Sequence, residues 1–94
     1  MEIIEVKITQ QRVKAVHSTE DYIVEYDVTL GENNQYQNIS GTVKEISTKQ
    51  IVGYINKSYE FSVRTVNGKE NLFVEISQLA IESLSLLDEE INKL

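Results

Sequence analysis

Over most of the chain apolar residues recur at every second position, and from residue 77 onward they recur at every third or fourth. Tyr22, Val24, Tyr26, Val28 and Leu30 alternate with Ile23, Glu25, Asp27 and Thr29, the period-two pattern of a half-buried strand. Gly31-Glu32-Asn33-Asn34 is turn chemistry. Carrying the even-numbered apolar face onto Ile39, Gly41 and Val43 needs an even-numbered loop, either Asn33-Asn34 or the whole four-residue stretch. On the other side, a loop of His17-Ser18-Thr19-Glu20 sets Ala15 opposite Tyr22 and Val13 opposite Val24. Ile4, Val6 and Ile8 have the opposite parity to Val13 and Ala15, so the chain must reverse parity between Thr9 and Arg12. Without Gly or Asn there, a β-bulge in one long strand is favoured over a tight hairpin. Residues 46–57 read better as strand than as helix, with Ile51, Gly53 and Ile55 sharing a face.

Asn67-Gly68 suits the positive φ angles of a two-residue hairpin turn. The register it predicts pairs Thr65 with Glu70, Val63 with Leu72, Phe61 with Val74 and Tyr59 with Ile76. Tyr22, Tyr26 and Tyr59 then fall on the core face. From Ser77, a plausible N-cap, Ala80, Leu84, Leu87, Ile91 and Leu94 follow helical spacing, widened by Leu79. At ~1.5 Å per residue this segment is a rod of about 27 Å, long enough to cover one face of a sheet. The predicted fold is therefore α+β and a single domain. An antiparallel β-meander of about five to six strands occupies residues 1–76, either open or partly barrel-like, and packs against one C-terminal amphipathic α-helix over 77–94.

Composition narrows the chemistry. A chain of 94 residues buries one core, which leaves little room for a haem or flavin cavity. No cofactor is expected. Cysteine is absent, so disulfides, thiolate nucleophiles and cysteine metal sites are excluded. Charged residues interrupt every apolar run near Met1, which predicts a cytoplasmic chain with no leader and no membrane span. The net charge of −6 makes nucleic acid a poor partner. It suits a basic protein, mimicry of nucleic acid at a basic groove or, most simply, solubility.

No motif carries catalysis. His17 is the sole histidine, so neither a multi-histidine metal site nor a second imidazole is available, and it reads as a solvated loop residue. Glu25 with Asp27, and Glu60 with Glu75 if the hairpin register holds, form carboxylate pairs on an open polar face, where solvated strand surface is the simpler reading. The glycines are too dispersed for a phosphate loop. Apolar residues on the face that should be polar are more informative. Tyr54 and Phe73, supported by Val52, Ile23 and Val66 and rimmed by Arg64 and Glu75, form the candidate protein contact. The expected function is a non-enzymatic interaction module, an inhibitor or adaptor of a larger protein of the kind that accompanies phages and mobile elements. The alternatives are a self-assembling structural protein and a small enzyme with carboxylates at an oligomer interface.

Overall fold

The computed structural model describes residues 2–9, 12–31 and 36–92. Six strands run in chain order across one antiparallel sheet: β1 (Glu2–Thr9), β2 (Arg12–Ser18), β3 (Tyr22–Leu30), β4 (Tyr36–Glu45), β5 (Ile51–Lys57) and β6 (Phe61–Thr65). A single 3-10 turn, Glu70–Leu72, leads into the helix α1 (Phe73–Asn92). β1 and β6 are the two edges, so the meander is open rather than barrel-like.

The alternation in β3 sets the core. Tyr22, Val24, Tyr26, Val28 and Leu30 are all buried, and the β4 register places Val43, Gly41 and Ile39 across from Val24, Tyr26 and Val28. That register continues the even face as the alternation requires; the choice between the two even loops lies outside the described residues. From α1, Ile76, Leu79, Ala80, Leu84, Leu87 and Ile91 close the core. They form the helical stripe read from the sequence, extended by one turn at its start; Leu94 lies outside the described residues.

Several expectations are corrected. The parity change between Thr9 and Arg12 is a hairpin and not a bulge in one strand: β1 and β2 pair antiparallel, with Thr9 across from Arg12 and Ile8 across from Val13. The β2–β3 turn lies two residues further along than the loop at His17–Glu20, so Ala15 faces Tyr26 and Val13 faces Val28. Thr19 holds that turn, its hydroxyl accepting from the Tyr22 amide at 3.0 Å. The shift preserves the faces but draws His17 into the strand.

The largest correction concerns residues 66–76. Asn67-Gly68 does form a turn, with Gly68 at φ +89° and Lys69 N donating to Val66 O at 3.0 Å. The chain does not return as a strand, however, and the pairs predicted from Thr65–Glu70 to Tyr59–Ile76 are absent. β6 ends at Thr65, and the helix begins at Phe73, not at Ser77. The division at residue 76 is therefore replaced by a sheet ending at 65 and a helix starting at 73. Leu72, Val74 and Ile76 alternate as in a strand, but Leu72, Ile76 and Leu79 also stand at helical spacing. Tertiary packing decides between the two, because Ile76 seats fully buried over β5. Tyr59, freed of any cross-strand partner, is fully exposed.

Two glycines permit this packing. A Cβ at Gly53 would stand 2.9 Å from Arg64 O and 3.2 Å from Ile76 Cδ1, so the missing side chain lets the helix start close to the sheet. A Cβ at Gly41 would stand 2.6 Å from Tyr26 Cε1 and 2.8 Å from Cδ1; the tyrosine ring lies across the bare backbone. Gly41→Ala should therefore cost about 1–3 kcal/mol by displacing that ring. Urea unfolding checks this, and unchanged stability would show that the ring has room to move.

Candidate functional site

Antiparallel register arranges the open face of the sheet in rows. Ile23 lies across from Lys44, and Lys44 across from Ile51; in the next row Glu25, Thr42, Tyr54 and Arg64 follow one another. The Arg64 guanidinium stands 5.8 Å from the centre of the exposed Tyr54 ring, a cation–π distance. Ile23, Tyr54 and Arg64 of the expected contact are thus on one face.

The rest of that expected set is not brought there. Val52 is fully buried, because β4 pairs Val43 with Gly53 but Lys44 with Ile51. The bulge leaves Val52 as the extra residue, turns it into the core and sends Ile51 outward, so Ile51, Gly53 and Ile55 do not share a face as expected. The Val52 carbonyl accepts from Val66 N at 3.0 Å, which places Val66 at the end of β6, half-buried. Phe73 belongs to the first turn of α1. Glu75 is on the helix too, accepting a 2.6 Å hydrogen bond from the Tyr22 hydroxyl. This bond ties the start of α1 to β3, and burial together with the neighbouring Glu75 carboxylate pushes the Tyr22 phenol up.

The carboxylates fare differently from one another. Glu25 and Asp27 do share the open face, but each meets a cation: Lys44 Nζ at 3.7 Å from Glu25 and Arg12 at 3.5 Å from Asp27. Such exposed pairs contribute about 0.2–1 kcal/mol. They border a groove of about 380 Å³ lined by Lys14, Val16, Ser40 and Thr42 among others. Glu60 and Glu75 form no pair, since Glu60 precedes β6 and Glu75 is helical.

Two features escaped the sequence reading. One is a side of the molecule formed by β6 and α1, where Phe61, Val74 and Ile81 are exposed. The false hairpin had paired Phe61 with Val74 inside the core. Ile81 was the available signal, as an apolar residue off the buried stripe of the helix. Between β6 and α1 lies a groove of about 360 Å³ lined by Lys57, Phe61, Ile81, Leu84, Ser85 and Asp88.

The other is His17, which is buried in β2 rather than solvated in a loop. Its parity, shared with Val13 and Ala15, was the signal. Neither ring nitrogen has a hydrogen-bond partner, and the ring meets Tyr26 edge-on with centroids 5.4 Å apart. Ser83 of α1 donates to the Ala80 carbonyl at 3.3 Å, which leaves Tyr26 as donor in the Tyr26–Ser83 hydrogen bond. Burial pushes the Tyr26 phenol up to about 12. His17, Tyr26 and Ser83 are each closed off from solvent, so the cluster is an internal polar seam without access for a substrate.

No helix among the described residues is long and apolar enough to cross a membrane. No protein-family model, curated protein or solved structure matches the chain.

Burial holds the His17 imidazole below its ordinary value of 6.5, with Glu90 pulling the other way. The folded state therefore binds fewer protons than the unfolded chain, and stability should be intact above about pH 6.5 and fall as the pH drops below it. The slope is at most about 1.4 kcal/mol per pH unit for one proton. Denaturation midpoints between about pH 7 and 5.5 check this: His17→Leu should flatten the profile, and an unchanged profile would assign it to other groups.

Proposed function

We propose that the chain is a non-enzymatic protein-binding module that docks through the side formed by β6 and α1. One observation carries the reading. Of the eight large apolar side chains exposed among the described residues, five, Tyr59, Phe61, Phe73, Val74 and Ile81, belong to the stretch that runs from just before β6 into α1. Scattered single apolar residues are ordinary on a protein surface, whereas a concentration of them marks a contact. Aromatic side chains dominate such contacts because they present large apolar area at small entropic cost.

The open sheet face fits the role less well. Its apolar members Ile23, Ile51 and Tyr54 are interrupted by Lys44 and by the Glu25–Lys44 and Arg12–Asp27 ion pairs, which would have to be desolvated on docking. A module of this kind acts by covering a surface of a larger protein, as an adaptor or inhibitor. Self-assembly through the same side is the competing reading, favoured by the unpaired outer edge of β6.

The test compares variants of the intact chain immobilised in an extract of its native host. Phe61→Ser and Ile81→Ser should each weaken retention of the bound protein by about 1–2 kcal/mol with nearly unchanged melting temperature, while Tyr54→Ala retains it. The reverse pattern would move the contact to the open sheet face. Sedimentation of the isolated chain separates the competing reading, which requires an oligomer.

A further inference from the structure

We infer that the Asn67-Gly68 turn is a site of spontaneous covalent modification, at which the Gly68 amide nitrogen closes on the Asn67 side chain with the Glu70 carboxylate as proton acceptor, and water then leaves isoaspartate or aspartate in place of asparagine. The inference is independent of the protein-binding reading and concerns the joint between the sheet and the helix.

The reaction needs a side-chain carboxamide that can reach the next backbone nitrogen, a following residue without bulk, and a backbone amide outside a hydrogen-bonded ladder. Seven asparagines occur in the chain, and Asn67 alone precedes a glycine. Asn38 and Asn56 precede Ile39 and Lys57 inside β4 and β5, where pairing on both sides holds the backbone extended. Asn71 precedes Leu72, whose amide donates to the Lys69 carbonyl at 3.0 Å. At the turn, by contrast, Asn67 and Gly68 are both exposed. Gly68 stands at φ +89°, and a Cβ there would meet nothing within 4 Å, so no neighbouring group packs against that side of the turn. Lys69 N closes the turn on Val66 O. The Gly68 amide donates instead to a side chain, the Glu70 carboxylate at 3.0 Å, which is within the reach that a general base requires.

As the Gly68 N–H gives its proton to Glu70, the nitrogen electron pair forms a bond to Asn67 Cγ. The bond from Cγ to the side-chain nitrogen breaks, and that nitrogen takes up the proton and leaves as ammonia. The product is a cyclic imide, formed without oxidation or reduction. Water opens it at either carbonyl. Attack at Cγ gives aspartate, whereas attack at the former backbone carbonyl gives isoaspartate and routes the main chain through the side-chain carbons. Either product sets a new carboxylate near Glu70, and the imide has already lost the hydrogen that Gly68 donated to it. Isoaspartate also lengthens the span that the Val66–Lys69 bond closes. That span delivers Ile76 to its seat over Gly53, so the longer chain weakens the docking of the start of α1.

The test incubates the intact folded chain in neutral buffer beside a synthetic peptide of residues 64–71. Ammonia release, the mass gain of an amide becoming a carboxyl, and isoaspartate in proteolytic fragments are followed over time. The folded chain should convert at Asn67 before any other asparagine and at least as fast as the peptide, and its isoaspartate fraction should melt at a lower temperature. Glu70→Gln should slow the conversion severalfold. Gly68→Ala should also slow it, and because that change strains the turn, Asn67→Ser serves as the folded control that forms no imide at this site. Conversion slower in the folded chain than in the peptide, or first at another asparagine, would overturn the inference. An unchanged or faster rate in Glu70→Gln would overturn the carboxylate's part in it.

Discussion

Tyr26 is where the sheet and the helix become one structure. Its ring lies over Gly41, where a methyl group would stand 2.6 Å from ring carbon, its edge meets His17, and its hydroxyl bonds Ser83 on α1. The glycine makes space for the ring, and the ring carries a polar group across the core to the helix. An open sheet of this size has one face that must be covered, and among the described residues α1 covers it. The Tyr26–Ser83 bond and the Tyr22–Glu75 bond fix where along its axis the helix sits. A buried hydroxyl left without a partner costs about 1–3 kcal/mol, so sliding the helix by one turn is penalised at both contacts together.

The same core holds an element that works against stability. His17 sits among these residues with both ring nitrogens unpartnered, and a buried imidazole N–H without an acceptor carries its full desolvation cost. The imidazole fills space as an aromatic ring, packed edge-on against Tyr26, rather than as a hydrogen-bonding group. Its burial favours the neutral form.

Much of this was legible in the sequence, and the failures have specific causes. The alternation in β3 and the stripe from Leu79 to Ile91 gave the sheet, the helix and the core face, because strict period two and period 3.6 each admit one local structure. Leu72, Val74 and Ile76 satisfy both periods at once, so only the packing of Ile76 over Gly53 could decide between them. Val52 was misplaced because a bulge inverts the parity of everything before it and leaves no mark in composition. Of the expected contact residues, Ile23, Tyr54 and Arg64 are together because the alternation within each of their strands held, although the pairing predicted for Arg64's strand did not. Phe73 and Glu75 left that set when the hairpin gave way to helix. That same change exposed Phe61 and Val74 beside Ile81, and it defines the β6–α1 side on which the functional proposal rests.

The central claim is that α1 is part of the folding unit and not an appendage to a self-sufficient sheet. Native-state amide hydrogen exchange tests it directly, because each amide reports the free energy of the opening that exposes it. Amides of α1 between Ala80 and Leu87 should exchange with the same free energy as those of β3 and β4, reporting a single global opening. Helix amides that exchange through a low-energy local opening while the sheet stays protected would contradict the account.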